Sequence, residues 1–137
     1  MDTISTKHRS WNMSRIKSKD TAPELIVRSF LHRNGFRFKL HVKDLPGTPD
    51  IVLPKYKTII EVRGCFWHRH PGCKYAYNPK TRVNFWEKKF QKNVQRDRRN
   101  DLLLSNAGFL VWTIWECEIS EEFLSVMCSK IKENLIL

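Results

Sequence analysis

The chain has 137 residues, 41% hydrophobic and 28% charged, which suits one folded domain and excludes wholesale disorder and collagen-like or low-complexity structure. Lys and Arg outnumber Asp and Glu by 25 to 14, giving a net charge of +11 and a pI near 9.8; such a field favours a polyanionic partner, most often nucleic acid. No apolar run approaches the ~18 residues of a membrane span, and the basic, polar N-terminus lacks a signal-peptide stretch, so the expected compartment is the cytosol.

Residues 1–19 show no apolar periodicity and read as a flexible basic arm, with 20–137 as a single domain. Thr21-Ala22-Pro23-Glu24 has the form of a capping box with Pro in the first turn. The helix it opens repeats Ile26, Val27, Phe30 and Leu31 at helical spacing, and Asn34-Gly35 stops it. Phe36, Phe38, Leu40 and Val42 alternate with Arg37, Lys39 and His41, which predicts a half-buried strand. Leu45-Pro46-Gly47-Thr48-Pro49 is turn chemistry. Ile51-Val52-Leu53 is a short strand, and Lys55-Tyr56-Lys57 turns it into a second, Thr58 to Val62.

Gly64 to Pro79 is irregular and dense in Cys, His and aromatics. A helix follows, roughly Thr81 to Asn106, with Trp86, Phe90 and Val94 on one face. Much of the positive charge lies here: residues 80–101 hold eight Lys/Arg against three acids, whereas the tail from Glu116 is net acidic. Ala107-Gly108 ends this helix. Phe109 to Trp115 is an apolar run suited to the centre of a sheet. Ser120-Glu121-Glu122 caps a last helix that buries Phe123, Leu124, Met127 and Ile131. The order α-β-β-β-α-β-α predicts an α/β fold, a mixed central sheet flanked by helices.

Three groups of residues can carry chemistry. Pro49-Asp50, then Glu61-Val62-Arg63, has the form of a PD-(D/E)xK nuclease core. Glu61 and Arg63 share parity and leave one face of their strand. Antiparallel pairing of the two strands would bring Asp50 beside them, where carboxylates suit Mg²⁺. A bland account is a turn Asp plus an exposed strand ion pair. The second group is Cys65, Cys73 and Cys117 with His70 or His68, a Cys₃His set that would satisfy tetrahedral zinc and leave no open position. Cys128 reads as a small core residue. The third is aromatic and basic. Phe66, Trp67 and Trp86 lie beside basic residues, an arrangement that can stack on bases or wedge between base steps, with core packing as the alternative. Lys89, Asn93 and Arg96 share a helix face apart from the Trp86/Phe90/Val94 seam, placed to contact base edges or phosphates.

Together these residues resemble the very short patch repair (Vsr) DNA mismatch endonucleases. The resemblance is carried by Asn12-Met13-Ser14-Arg15-Ile16, Asp20-Thr21-x-x-Glu24, Leu45-Pro46-Gly47-Thr48-Pro49-Asp50, Gly64-Cys65-Phe66-Trp67-His68, Thr81-Arg82 with Phe85-Trp86, Lys92-Asn93-Val94-x-Arg96-Asp97, and Trp115-Glu116-Cys117. It implies a restriction-endonuclease-like PD-(D/E)xK core with a structural zinc site, and a strand-specific nick beside the T of a T:G mismatch left by deaminated 5-methylcytosine. By position it implies Asp50 and the Val62 backbone carbonyl as Mg²⁺ ligands, Glu24 on a metal-bound water, and His68 in proton transfer. Cys65, His70, Cys73 and Cys117 would bind Zn²⁺. Phe66, Trp67 and Trp86 would wedge into duplex DNA, with Met13, Lys89 and Asn93 near the mismatched pair and the N-terminal arm clasping the DNA. A monomer in the bacterial cytoplasm, associated with the nucleoid and with mismatch-repair accessory proteins, is the expected setting.

Two departures mark this chain. Val62-Arg63 stands where familiar members carry a polar pair, so the side chain at 63 cannot position a water as a His or carboxylate would; either Glu61 and Arg63 restore the general ExK arrangement in catalysis, or Glu61 points away from the metal. Arg69, Pro71 and Gly72 replace a His-richer stretch between Cys65 and Cys73. Two other readings stay open: a restriction-type endonuclease on the same core, and a non-catalytic zinc-stabilised DNA-binding module.

Overall fold

The computed structural model describes residues 20–134; the N-terminal arm, Met13 within it and residues 135–137 lie outside that range. The elements in chain order are α1 (Ala22–Arg33), β1 (Lys39–Leu40), β2 (Ile51–Leu53), β3 (Thr58–Arg63), α2 (Val83–Asn106), β4 (Leu110–Trp115) and α3 (Glu121–Glu133). Short 3-10 turns, Pro54–Tyr56 and Glu116–Glu118, follow β2 and β4.

Helix α1 begins where the sequence places it, with Thr21 Oγ1 accepting the Glu24 N–H at 3.4 Å. It ends at Gly35, whose φ of +84° only glycine adopts freely. The Gly35 N–H donates to the His32 carbonyl and the Phe36 N–H to the Leu31 carbonyl, closing a Schellman motif. The strand expected over 36–42 is reduced to Lys39–Leu40. Its alternation marks packing rather than pairing: Phe36 and Phe38 drop into the core, and His41 bends the chain away at φ +48°.

The sheet order is β1-β2-β3-β4. β1/β2 and β2/β3 are antiparallel, and Ile51 faces Ile60 across the β2–β3 pair. β3 and β4 are parallel, with Ile60 opposite Trp112, so the long segment carrying α2 is the crossover a parallel pair requires. The apolar run predicts β4 at the centre of the sheet; it is an edge strand, and Leu110 is exposed. Its apolar run reflects cover on both faces, not a strand on both sides.

Strand parity divides the core. Ile51, Leu53, Ile60 and Ile114 meet Val27, Phe30 and Leu31 of α1 and Leu124, Met127, Cys128 and Ile131 of α3. On the opposite face Val52 and Ile59 meet Leu104 of α2, with Val42, Leu45, Phe109 and Val111 around them. Each fully buried aliphatic contributes about 1.5–3 kcal/mol. Alternation continues past Ile59 on the α2 face, where the next side chains of β3 are Glu61 and Arg63.

Candidate active site and metal centre

Asp50 ends the loop Leu45–Pro49, and that loop is pinned to α2. A Cβ on Gly47 would lie 2.6 Å from Asn100 Nδ2, and Gly47 has φ +75°, so only glycine lets the loop come this close. Asp50 Oδ2 accepts the Val62 N–H at 3.0 Å. Burial pushes the Asp50 carboxyl up to about 6, against the Val62 N–H and with the help of the Glu24 charge. Glu61 is pushed up to about 8 by burial and by the charge of Asp50, with Arg63 pulling the other way. A cation bound beside the two carboxyls would favour their charged forms. Arg63 donates to Asp101 Oδ1 at 2.8 Å and braces β3 against α2.

His68 Nδ1 lies 2.7 Å from Asp97 Oδ2 on α2. Burial opposes the charge on Asp97, but the His68 hydrogen bond and nearby cations outweigh it, leaving the carboxyl below its ordinary value. An imidazole donating through Nδ1 to a carboxylate keeps Nε2 as its basic nitrogen. Glu24 is buried at 2% exposure. It is ion-paired with Arg28, which also pairs with Asp20, and lies 3.2 Å from His41 Nε2. Glu24, Asp50, Glu61, Arg63, His68 and Asp97 all line one cleft of about 940 Å³. Lys89, Asn93 and Arg96 line it from α2, as their shared helix face predicts.

The second constellation is built by the irregular segment 64–79 that follows β3 and by the turn Glu116–Glu118 that follows β4. Cys65, His70, Cys73 and Cys117 bring their ligand atoms within 4.8 Å of one another. Cys73 Sγ is 3.9 Å from Cys117 Sγ, and His70 Nδ1 lies 3.7 Å from Cys65 Sγ and 3.3 Å from Cys117 Sγ. Zn–S bonds of about 2.3 Å place tetrahedral sulfurs about 3.8 Å apart, so these donors fit zinc as they stand. Of the two candidate histidines, His70 joins the cysteines and His68 turns to the cleft. The His70 ring is stacked on Trp115, centroids 4.3 Å apart and 8° from parallel. Glu116 Oε1 accepts the Cys65 N–H at 3.1 Å and ties this centre to the end of β3. Cys128 is buried in the core, as expected.

Phe66, Trp67, Trp86 and Phe90 form one cluster of rings. Phe66 lies 5.1 Å from Trp67, 5.6 Å from Trp86 and 5.2 Å from Phe90, and Trp67 lies 5.7 Å from Trp86. Trp86 is only 6% exposed, with the rings of Phe66 and Trp67 folded against it, the packed arrangement of the two that the sequence leaves open for this residue. Phe66 and Trp67 are partly exposed. Asn93 Nδ2 donates to the Trp67 carbonyl at 3.0 Å, and Lys89 Nζ lies 5.9 Å from the Trp67 ring centre.

A family model for the DNA mismatch endonuclease Vsr matches residues 1–74. A type II nicking enzyme of Xanthomonas oryzae pv. oryzae is 46% identical over 120 residues, 88% of each chain. A type II nicking enzyme of Neisseria meningitidis is 44% identical over 121 residues, 88% of this chain and 86% of the relative. The DNA mismatch endonuclease Vsr of Escherichia coli is 42% identical over 111 residues, 81% of this chain and 70% of the relative. The chain belongs to the Vsr family of DNA mismatch endonucleases.

As a Vsr-family protein it is a DNA endonuclease, and this nuclease family implies a divalent metal. No helix among the described residues is long and apolar enough to cross a membrane. The structure adds Asp97, Asp101, Arg28 and His41, to which the sequence motifs attach no role. Asp97 had a signal, since it stands four residues after Asn93 and so shares its helix face. Arg28 stands four residues after Glu24, the spacing of a helix ion pair. His41 carried none, because it reaches Glu24 only through a bend after β1.

Proposed function

We propose that this protein nicks one strand of duplex DNA beside the T of a T:G mismatch, opening very short patch repair of deaminated 5-methylcytosine. One observation carries the reading: Asp50, Glu61, Glu24 and His68 converge in a cleft whose α2 wall bears Lys89, Asn93 and Arg96. Asp50 and the Val62 carbonyl would hold Mg²⁺, an oxygen-ligated cation that polarises the phosphate and activates water. The buried, upward-shifted carboxyls of Asp50 and Glu61 supply the donor chemistry such an ion needs. Zn²⁺ would take the Cys65, His70, Cys73 and Cys117 set and act structurally.

The protein's own groups then divide the work. His68 takes the proton of the attacking water at Nε2, while Asp97 holds the ring and stabilises the imidazolium. Glu24, fixed by Arg28 and His41, orients that water. Glu61 adds a second carboxylate to the pocket, and Arg63 keeps it aimed by bracing β3 on Asp101. Arg96 takes a backbone phosphate, and Lys89 and Asn93 approach the mismatched pair. Phe66 and Trp67 enter the stack first, and Trp86 follows once the rings part. A mismatched step is already poorly stacked, so wedging costs less there than in paired DNA. Met13 and the arm 1–19 would close over the DNA, with residues 20–137 as the PD-(D/E)xK catalytic domain. The protein would act as a monomer at the bacterial nucleoid, with accessory repair proteins downstream.

A strand-resolved cleavage assay on T:G, other mismatches and fully paired duplex, with and without Mg²⁺, tests the reading. The expected result is a Mg²⁺-dependent nick confined to the T strand of T:G. Equal cutting of paired DNA would make the protein a restriction-type enzyme instead.

A further inference from the structure

Arg69 belongs to neither site. It is not among the residues lining the cleft, and it is absent from the Cys₃His set. Yet it is held in place from several sides. Its φ is +55°, a left-handed conformation that is unfavourable for a non-glycine residue and persists only where surrounding contacts impose it. Its guanidinium carbon lies 4.0 Å from the centre of the Phe90 ring and 5.9 Å from that of Phe66. Nη1 donates to the Tyr77 carbonyl at 2.9 Å and to the Phe66 carbonyl at 3.5 Å, and Nη2 donates to Asn78 Oδ1 at 2.6 Å. Tyr77 itself packs on Phe66, ring centres 4.8 Å apart. One side chain therefore ties three pieces together: the loop that carries Phe66 and Trp67, helix α2 through Phe90, and the 77–78 segment.

We propose that Arg69 is a latch that keeps the Phe66/Trp67/Trp86/Phe90 cluster shut in the DNA-free protein and so sets the threshold for wedging into a base step. The inference rests on the wedge reading of Phe66 and Trp67. Its physical content is a two-state equilibrium. Closed rings are satisfied by one another and by Arg69; open rings are satisfied by bases. A defective step supplies stacking at little unpairing cost and pulls the equilibrium open, whereas an intact step does not. Opening must break a cation–π contact and charge-assisted hydrogen bonds, which together favour the shut form by roughly tenfold.

The latch makes a prediction of opposite sign to the ordinary role of a surface arginine. With the latch removed, a larger fraction of the free protein is open, so apparent affinity for wedged DNA rises. In Arg69→Ala the Kd for T:G duplex should tighten by up to about tenfold. Single-turnover nicking of T:G at saturating protein should stay put, while nicking of paired duplex rises by a similar factor. Acrylamide should quench the tryptophan fluorescence of the free variant more efficiently. A phosphate-contacting Arg69 would instead weaken both duplexes and lower the salt slope by about one, and that result overturns the latch. Asn78→Ala removes one arm of the latch without touching the cysteine loop; it should tighten T:G binding by about twofold to threefold, and it carries the test if Arg69→Ala loses zinc. Trp67→Ala separates the two ideas. If it leaves T:G affinity unchanged, the wedge reading fails. If it weakens T:G binding while neither Arg69→Ala nor Asn78→Ala tightens it, the wedge stands and the latch falls.

Discussion

The two faces of the sheet use the same strands for different ends. Toward α1 and α3 the sheet shows Ile51, Leu53, Ile60 and Ile114, all sealed into one apolar cluster. Toward α2 it shows Val52 and Ile59, capped by Leu104, and then gives way to Glu61 and Arg63 beside Asp50. The first face is closed by α1 and α3. The second is left thin because a cleft of about 940 Å³ with buried acids occupies the space a core would fill. Stability is thus concentrated on one face, and the other holds charges in environments that work against folding.

The largest expected effect concerns the Cys65, His70, Cys73 and Cys117 set, which could hold a metal ion. The protein is expected to carry about one Zn²⁺, and Cys73→Ser or chelation to cost most of its folding free energy, read by circular dichroism and metal analysis. Zinc-free protein that stays folded and active would remove the centre from the account. Next in size, Asp50→Ala should lower nicking by about 10³-fold or more while DNA binding, measured by gel shift, survives. The adjacent pair Ile59 and Ile60 then compares the faces directly. Ile60→Ala should cost about 3–5 kcal/mol in urea unfolding, and Ile59→Ala about 2–3 kcal/mol because α2 can settle onto the smaller side chain. Ile59→Ala should nonetheless lower nicking more per kcal/mol lost, since it loosens the helix that holds Asp97 and Asp101.

A smaller effect is expected at the imidazole. Asp97→Asn should slow nicking by about 10- to 100-fold, with little change in DNA affinity, because it removes the anchor of Nδ1 and not the base itself. Loss of affinity with an unchanged rate would assign Asp97 to DNA contact. The smallest effect is a pH dependence of opposite sense to that of a paired carboxylate. Burial first, and the Asp50 charge next, hold the Glu61 carboxyl up at about 8 against an ordinary 4.5. The unfolded chain ionises this group first, so its contribution to stability is full below pH 4.5 and falls away as pH rises to about 8. In Mg²⁺-free buffer Glu61→Gln should therefore stabilise the protein at pH 8 by roughly 2 kcal/mol, and by nothing at pH 4.5. Equal melting temperatures of the two proteins at pH 8 would place Glu61 in a solvated position.

What local chemistry controls was legible in the residues alone. The capping box before α1, the glycine stops and the switch between helical and alternating periods set the order of elements. Strand parity put Glu61 and Arg63 on one face, and antiparallel pairing brought Asp50 to them; the clustered cysteines pointed to a group that could hold a metal. Tertiary structure decided the partners. His68 and Asp97 are 29 positions apart, Arg63 and Asp101 are 38, and Cys65 and Glu116 are 51. Such pairs depend on how α2 and the turn after β4 are laid against β3, which no local pattern encodes. The choice of His70 over His68 beside the cysteines, the edge position of β4 and the closing of the aromatic rings on one another have the same origin. Each is a competition between alternative burials that only the folded whole resolves.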